Sequence, residues 1–456
     1  MRRNGETGTL PLGKDSGSAH AVRDVSSVWH TRAVLRLLFG PAEERTFAVR
    51  LWDGTTETPR AAPEFTFELR HPGVLRQVLL PPSELKLAHA FVRNDIDIQG
   101  DLEAAVGLGD LFAQRIFAGT TFLKVIPHLL MLPGATPHGR DDVRTARGLT
   151  AAGRPHDEAR DEAAIRFHYD IGNEFYALWL DDRMVYSCAY FPTGTESLGE
   201  AQEAKLDLVC RKLGLRPGER LLDIGAGWGA LVRRAAERYG ADATGITVSE
   251  NQARFAQSAI AKEGLTGRAR VELRDYRKLE DSQAFDRIAS VGMVEHVGRA
   301  RLDQYFAAVF RLLRPGGLFL NHGIVALDDA RPRPLAGRIM DRLWKRASFI
   351  YQSVFPDGEI LQLAEMVRSA EAACFETRHV ETLREHYMIT LRHWRGRLES
   401  AHTEAAALVG EGTYRLWRLY LAASARGFAS GRLGVVQMLL AKPLLDGGAA
   451  PCEAAQ

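Results

Sequence analysis

Short apolar strands alternate with amphipathic helical segments from about residue 205 onward. The predicted strands are RLLDIG, ADATGIT, ARVEL, FDRIASVG and GGLFLNHGIVAL, and the predicted helices between them are WGALVRRAAERYG, SENQARFAQSAIAKEG and RLDQYFAAVFRLLRPGG. This alternation predicts an α/β fold, a doubly wound and mostly parallel sheet of Rossmann-like type with helices on both faces. FETRHVETL and GVVQMLLAKP are predicted as late strands.

The N-terminal part of the chain has a different pattern, which predicts a smaller α+β domain over residues 26–130. TFAVRLWDG and PEFTFELRH alternate as strands do, whereas PPSELKLAHAFVRNDIDIQGDLEAAVGLGDLF has helical spacing. Residues 131–160 are rich in Gly, Pro, Arg and Asp and are predicted to be a linker, which leaves 161–456 as the larger domain. Residues 1–25 start basic without a following apolar stretch, which excludes a signal peptide and predicts a disordered tail.

Composition narrows the function classes. The 456 residues are 46% hydrophobic and 25% charged, as in ordinary soluble proteins, and a net charge of +2 argues against nucleic-acid binding. No apolar run is long enough to span a bilayer, so contact with lipid has to be peripheral. The four cysteines lie far apart, without a C-x-x-C pair or clustered histidines. We therefore expect no metal site, no disulfide framework and a cytoplasmic location.

The stretch LLDIGAGWGAL ends a predicted strand with a glycine-rich turn that opens a helix. Gly225, Gly227 and Gly229 allow the backbone to approach a ligand closely, although a glycine turn alone is a weak signal. The turn lacks the final glycine of the dinucleotide fingerprint, and Asp223 stands just before it. A carboxylate there attracts an ammonium and repels a phosphate, so the turn favours S-adenosylmethionine over a dinucleotide.

Polar side chains also follow the next two predicted strands. Thr247 and Gln252 are placed to hydrogen-bond ribose hydroxyls. Asp275 is placed to accept from an adenine amino group, with Tyr276 as a face for the ring. Each of these residues taken alone is better explained as a helix cap or a turn residue. Together with the turn they mark the carboxyl ends of three consecutive strands, where open sheets bind ligands, and this predicts a methyltransferase.

Separated motifs from about residue 160 to the end resemble those of a known family. They are RFHYDIGNEFYALWLDDRMVYSCAYF, LLDIGAGWG, GITVSENQ, DRIASVGMVEHVG, FLNHGI, FPDG, EHYMITLRHW and GVVQMLLAKP. In order and spacing they resemble the cyclopropane-fatty-acyl-phospholipid synthase family, which includes the mycolic acid cyclopropane synthases. The resemblance implies the class I methyltransferase form of the Rossmann-like sheet. Residues 26–130 look like the extra N-terminal domain of the phospholipid-acting members.

The resemblance implies methylene transfer from S-adenosylmethionine to the cis double bond of an unsaturated phospholipid acyl chain, with a bicarbonate ion as base. The family's ion-binding residues fall on Cys188, Glu295, His322, Ile324 and Tyr387, the cysteine and the isoleucine contributing mainly backbone groups. Its cofactor contacts fall on Tyr186, Ser187, Asp223, Gly225, Gly227, Gly229, Thr247, Val248, Gln252, Asp275 and Tyr276. Peripheral contact with the inner face of the membrane and a homodimer are further expectations.

The chemistry of an alkene explains why such a site needs a base only after methyl transfer. The alkene has no proton to remove beforehand, but the carbocation left by methyl transfer must lose one while water is excluded. From the residues alone, Glu295 or His322 would be named as that base. The alternatives are a helix cap for Glu295 and a core histidine with satisfied hydrogen bonds for His322.

The fate of the carbocation determines the product, and we expect a cyclopropane ring. A methylene-branched acyl chain is the alternative product. A small-molecule methyltransferase or a non-catalytic lipid-binding protein fits the motifs less well, because the cofactor turn and the ion-binding residues are both intact and the N-terminal domain is present.

Cys188, in the stretch MVYSCAYF, could be a nucleophile, half of a disulfide, a metal ligand or a core residue. Cysteine spacing excludes the disulfide and the metal site. A catalytic thiolate needs positive and partly exposed surroundings, and the expected reaction has no step for a nucleophile. Cys188 is therefore predicted to act through its backbone.

Residues 331–346 carry six basic residues and one acidic residue, with Ile339, Met340, Leu343 and Trp344 among them. Such a segment is typical of a helix that lies on an anionic membrane. A helix that covers the active-site mouth fits equally well, and the two roles are compatible. We expect the segment to belong to a helical acyl-channel insertion of about residues 331–372.

Overall fold

A computed structural model describes residues 16–117, 121–134, 171–280, 282–327 and 358–444, together with residues 160, 168 and 354. The chain divides into two compact units, Met1–Arg140 and Asp141–Gln456. Within the described residues, no helix is both long enough and apolar enough to cross a bilayer.

The described part of the first unit contains a four-stranded sheet and five α-helices. The strands, in the order β2-β1-β3-β4, are β1 Ala48–Arg50, β2 Thr56–Glu57, β3 Phe65–Leu69 and β4 Ile96–Gly100. The helices are α1 Ser16–Phe39, α2 Val74–Leu79, α3 Glu84–Val92, α4 Leu102–Phe117 and α5 Thr121–Met131. β1 and β3 run parallel, and the other two pairs in this sheet are antiparallel.

Two features of this unit differ from the sequence predictions. The helical stretch predicted over residues 81–112 contains β4, because buried Ile96 and Ile98 alternate with the less buried Asp97 and Gln99, and this alternation suits a strand. Helix α1 begins at Ser16, inside the stretch predicted to be a disordered tail, because a helix once nucleated extends readily through neighbouring residues. Most of the predicted linker, residues 135–159, lies outside the described residues.

The second unit contains a seven-stranded sheet in the order β10-β11-β9-β8-β5-β6-β7. Its strands are β5 Arg220–Ile224, β6 Asp242–Thr247, β7 Ala269–Leu273, β8 Phe285–Val291, β9 Leu313–Ala326, β10 Glu376–Thr382 and β11 Leu433–Ala441. β5 to β9 pair in parallel, whereas β11 runs antiparallel to both β9 and β10. Each strand overlaps a predicted one, and the mostly parallel sheet confirms the predicted fold class.

The helices of this unit cover both faces of the sheet. They are α6 Asn173–Ala177, α7 Leu198–Lys212, α8 Ala230–Tyr239, α9 Glu250–Lys262, α10 Val294–Val297, α11 Leu302–Leu312, α12 Leu363–Ala372, α13 Arg384–Ser400, α14 His402–Val409 and α15 Glu411–Ala429. Leu221 packs into a core with α7, α8 and α9, whereas its neighbour Leu222 packs into a second core with α11 and α12. The side chains of successive strand residues thus pack into cores on opposite faces of the sheet.

The predicted acyl-channel insertion, about residues 331–372, is only partly described. Its basic segment at 331–346 lies outside the described residues, and α12 is the described helix within its range.

Candidate functional site

A cleft lies at the carboxyl ends of the parallel strands of the second unit. Residues of the predicted cofactor site line it: Tyr186, Ser187, Asp223, Gly225, Gly227, Thr247, Val248, Gln252, Asp275 and Tyr276. Gly229, the remaining predicted contact, is the first residue before α8. The structure therefore brings together residues that are up to 90 positions apart between Tyr186 and Tyr276.

The glycine turn between β5 and α8 has the backbone conformation that its sequence requires. Gly225, Gly227 and Gly229 have φ angles of 82°, 54° and 80°, in the region that side chains disfavour. Gly225 and Ala226 donate their N–H groups to the oxygen of Ile246 at 3.0 and 2.9 Å, which ties the turn to the end of β6. At Gly227 a side chain would point into open space, so the backbone there is accessible to a ligand.

Asp223, the residue before the last of β5, is a buried acid with 3% of its surface exposed. Burial raises the pKa of its carboxyl group to about 7, and nearby Lys205 opposes that rise. No described residue hydrogen-bonds to this carboxylate. A cationic group that enters the cleft therefore lowers the pKa of Asp223 and favours its ionised form.

Lys205 also lines the cleft, and it was not predicted. It lies on the buried face of α7, and its Nζ atom donates to Ser187 Oγ at 2.8 Å. Burial lowers the pKa of this ammonium to about 8. The available signal was the helix pattern, because Gln202 and Lys205 occupy core-facing positions that usually carry apolar residues.

The loop that carries Tyr186 and Ser187 is held by α7 from one side. Gln202 Nε2 donates to Ser187 O at 2.8 Å and to Val185 O at 3.4 Å. The ring of Tyr186 lies 5.3 Å from the ring of Trp179 and 5.1 Å from that of Trp394. These contacts pack the ring of Tyr186 against the aromatic side chains of Trp179 and Trp394.

Three of the predicted nucleotide contacts, Thr247, Gln252 and Asp275, already have partners. Thr247 Oγ1 donates to Gln252 Oε1 at 2.8 Å, which directs the amide of Gln252. The carboxylate of Asp275 accepts three hydrogen bonds from the guanidinium of Arg277, the shortest at 2.6 Å from its terminal nitrogen, and caps the following helical turn. Its predicted contact with adenine stays a prediction and requires Arg277 to share or leave the carboxylate.

Glu295 lies on α10, immediately after β8. Its Oε1 atom accepts from the backbone N–H of Ile324 at 2.6 Å, whereas Oε2 is buried without a hydrogen-bond partner among the described residues. Burial raises the pKa of this carboxyl group to about 7, against the lowering effect of the Ile324 hydrogen bond. The close approach of the two elements depends on Gly323, where a Cβ atom would lie 2.3 Å from Val294 Cγ1.

His322 lies two residues before Ile324 on β9, with its side chain buried. Its Nδ1 atom is 3.1 Å from Nε2 of Gln437, the residue opposite it on β11. Its own Nε2 atom is buried and has no hydrogen-bond partner within the described ranges. Burial, together with the charges of Lys205 and Lys212, lowers the pKa of the imidazole to about 3. The ring is therefore neutral at physiological pH.

Cys188, Ile324 and Tyr387, the remaining predicted ion-binding residues, are connected through the backbone of Leu383. The Leu383 oxygen accepts from the N–H of Tyr387 at 3.0 Å and lies 3.7 Å from Cys188 Sγ. The Leu383 N–H donates to the oxygen of Val435, which is paired with Ile324 across β11 and β9. This arrangement places the three residues around one end of α13.

Cys188 is fully buried, and burial raises the pKa of its thiol well above the usual range. The N–H of its neighbour Ala189 donates to Thr390 Oγ1 at 3.0 Å, which anchors the loop on α13. Cys188, Cys210 and Cys374 are free thiols. The geometry gives the Cys188 thiol none of the properties of a nucleophile.

The comparisons with known proteins cover both units. The family described as mycolic acid cyclopropane synthetase matches residues 156–438, and a domain of unknown function matches residues 34–108. A probable fatty acid methyltransferase of Pseudomonas putida is 39% identical over 400 residues, which cover 88% of this chain and 92% of that one. Cyclopropane mycolic acid synthase 1 of Mycobacterium tuberculosis is 36% identical and covers 61% of this chain and 97% of its own.

Solved structures give the same match for the second unit. The cyclopropane synthase MmaA2 of Mycobacterium tuberculosis superposes with a TM-score of 0.57 at 35% identity, over 62% of this chain and 98% of that one. The mycolic acid cyclopropane synthase CmaA1, solved with SAH and CTAB, has a TM-score of 0.57 at 36% identity, over 61% of this chain and 97% of its own.

The raised pKa of Glu295 predicts a pH-dependent stability. Its folded pKa of about 7 lies above the ordinary value of 4.5, so the folded state binds the proton more tightly than the unfolded state. Stability contributed by the protonated form is therefore lost as pH rises from about 5 to 8. We expect Glu295→Gln to gain about 1–3 kcal/mol of unfolding free energy relative to wild type over that range.

Urea unfolding of both proteins at pH 5, 6, 7 and 8 measures this difference. Asp223 titrates in the same window, so the comparison is the difference between the two curves rather than either curve alone. A difference that does not change with pH would contradict a raised pKa at Glu295.

Proposed function

Because the chain belongs to the mycolic acid cyclopropane synthetase family and is an S-adenosylmethionine-dependent methyltransferase, we propose that it modifies unsaturated acyl chains of membrane phospholipids. The proposed reaction is methylene transfer to a cis double bond, and the product is a cyclopropane fatty acyl chain. A bound bicarbonate ion is the proposed base.

The bonds and protons of this reaction balance without an oxidant or reductant. One alkene carbon bonds to the methyl carbon while the carbon–sulfur bond breaks, which leaves S-adenosylhomocysteine and a carbocation on the other alkene carbon. The new methyl group then loses a proton as its carbon bonds to the cationic carbon and closes the ring. The site must therefore accept one proton and exclude water until the ring closes.

The observation that supports this chemistry is the pair of buried polar atoms Glu295 Oε2 and His322 Nε2, neither of which has a hydrogen-bond partner within the described parts of the chain. Buried polar groups are usually hydrogen-bonded, and Glu295 is tied to Ile324, two residues from His322 on β9, so a small polar ligand is proposed to bind both atoms. Bicarbonate fits, because its oxygens can accept from an imidazole N–H while its hydroxyl donates to a carboxylate. When bound, it supplies a base for the methyl proton.

The chain's own side chains are poor candidates for that base, with one exception. His322 has a pKa of about 3, which makes its imidazole too weak a base, and the buried Cys188 thiol stays protonated. Glu295, whose pKa is about 7, could itself accept a proton. We propose that it instead orients the bicarbonate, and removal of bicarbonate from the assay distinguishes the two roles.

The cleft has charges that complement the polar end of S-adenosylmethionine. Asp223 can neutralise the ammonium of the methionine part, while the Lys205 ammonium, bonded to Ser187, lies near enough to influence the pKa of Asp223. The glycine turn leaves the backbone accessible at Gly227. Thr247, Val248 and Gln252 are proposed to meet the ribose, and Asp275 with Tyr276 the adenine.

A phospholipid substrate requires the protein to meet the membrane from outside. We propose that the protein associates peripherally with the inner, cytoplasmic face of the membrane. We also propose that it forms a homodimer, as the family resemblance implies. The first unit supports an acyl-lipid role, because the probable fatty acid methyltransferase of Pseudomonas putida aligns over 88% of this chain, more than the second unit alone.

The carbocation has a second fate, a methylene branch. A hydride shift from the methylated carbon to the cationic carbon moves the positive charge onto the methylated carbon. Proton loss from the methyl group then gives a methylene group doubly bonded to the chain. This product has the same mass as the cyclopropane, so the choice between them depends on how the acyl chain is held against the base. Ring closure needs no hydride shift and is the product we propose.

The proposed function is tested by incubating the full-length protein with methyl-deuterated S-adenosylmethionine and vesicles of monounsaturated phospholipid. Mass spectrometry should show that the acyl chains gain one carbon and two deuterium atoms. Proton NMR of the product made with unlabelled S-adenosylmethionine should distinguish cyclopropane protons from those of a methylene group doubly bonded to the chain. Carbon gain on small amines or phenols but not on lipid would favour a small-molecule methyltransferase. No carbon transfer to any acceptor would favour a lipid-binding protein.

Substitutions in the proposed ion site should show which positions need their side chain for activity and which contribute only backbone groups. Glu295→Ala and His322→Ala should lower the turnover rate by roughly 100-fold or more, because each removes a group that holds the base. Cys188→Ser should keep at least about half of the activity, because the thiol stays protonated and takes no part. S-adenosylhomocysteine affinity, measured by calorimetry, is the control for folding. Loss of activity in Cys188→Ser with intact affinity would show that the thiol is needed.

Cofactor affinity should depend on pH through Asp223. Its pKa is about 7 in the free protein, and a bound ammonium favours the ionised form, so binding releases a proton below pH 7. The affinity for S-adenosylhomocysteine should fall by up to about tenfold per unit as pH drops below 7. Asp223→Asn should bind more weakly above pH 7 and lose this dependence, whereas Asp242→Asn, at an exposed ion pair with Arg270, should behave as wild type. An equal pH dependence in Asp223→Asn would assign it to another group.

A further inference from the structure

A line of hydrogen bonds leads from the edge of the sheet to His322. Lys212 Nζ, at the end of α7, donates to Gln437 Oε1 at 2.6 Å and also contacts Glu381 Oε2 on β10. Gln437 Nε2 lies 3.1 Å from His322 Nδ1. Gln437 is fully buried, and Lys212 and His322 are 7% and 2% exposed. None of the predicted functions uses Gln437 or Lys212.

The chemistry of these groups permits one arrangement of protons. An ammonium can only donate, so the amide oxygen of Gln437 must face Lys212. The amide NH₂ therefore faces the imidazole and, since it too can only donate, Nδ1 of His322 must accept. In a neutral imidazole the proton then lies on Nε2. The charge of Lys212 is supported by its ion pair with Glu381.

We infer that Gln437, oriented by Lys212, is a positioning residue that holds His322 in its Nε2-protonated tautomer. The tautomer makes the ring a donor at the atom that has no described hydrogen-bond partner. A donor there can bind an oxyanion, whereas the other tautomer would present a lone pair that repels one. The role toward bicarbonate rests on the proposed function, but the tautomer itself does not.

The topology explains why a glutamine from β11 can perform this role. β11 runs antiparallel to β9, and the register places residue 437 directly opposite residue 322. Lys212 approaches from the helix layer rather than from the sheet, so the amide is held from outside the strand pair. An apolar residue at 437 could fill the same space but could not direct the proton.

The tautomer is measured directly by NMR of the full-length protein labelled with ¹⁵N-histidine, with the His322 signals identified by their loss in His322→Gln. Wild type should show a protonated Nε2 and an unprotonated Nδ1 at pH 7. A protonated Nδ1, or an averaged pair of signals, would overturn the inference. This measurement needs no variant of the positioning residues.

Variants should then move the proton in a defined direction. Gln437→Glu replaces the amide donor by a carboxylate acceptor of the same shape, so Nδ1 should become protonated. Lys212→Met frees the amide to turn and should give a mixture of tautomers. Gln257→Glu, at a part-buried glutamine whose Nε2 donates to Val271 O, is the matched control and should leave His322 unchanged. An unchanged tautomer in both Gln437→Glu and Lys212→Met would overturn the inference.

Kinetics separates this inference from the proposed function. If both hold, Gln437→Glu should lower the turnover rate at least tenfold and weaken its response to added bicarbonate, with unchanged S-adenosylhomocysteine affinity. If the tautomer changes while turnover and its bicarbonate response stay as in wild type, the positioning inference stands and the bicarbonate role of His322 fails. If the tautomer does not change, the inference fails whatever the activity.

Discussion

The burial of ionisable groups at the carboxyl ends of the strands governs the chemistry of the second unit. Burial favours the neutral form of four groups in and beside the cleft. It raises the pKa of the acids Asp223 and Glu295 and lowers the pKa of the bases His322 and Lys205. Asp223, Glu295 and Lys205 are consequently only partly charged near pH 7, whereas His322 is neutral there. Their charge states can respond to what binds beside them, which is what a site for a cationic cofactor and a small anion requires.

The order of the strands determines which of these groups become neighbours. β5 to β8 supply the cofactor side of the cleft in the usual manner of parallel sheets. β9 continues that sheet, but its other neighbour is the antiparallel strand β11, which returns from the end of the chain. The proposed ion-binding side therefore combines residues from the middle and the end of the sequence, and its assembly depends on the register of β11 against β9.

Much of this arrangement follows from local sequence patterns. Apolar runs and helical spacing locate the seven strands of the second sheet, and the rule that ligands bind at strand ends points to Asp223, Thr247 and Asp275. The same patterns do not reveal Lys212 and Gln437, because these residues are 225 positions apart and meet only through the sheet order. Strand β4 was missed for a related reason, since five residues between two helices are too few for their alternation to outweigh helical spacing.

Leu383 shows how much of the site consists of main chain. Its backbone oxygen and N–H connect Tyr387, Cys188 and the strand pair that carries Ile324, while its side chain is 1% exposed and takes no part in those bonds. Many apolar residues of similar volume could occupy the position without changing the connections. A related sequence can therefore keep these backbone connections with a different apolar residue at this position, and a search by residue type alone would not find it.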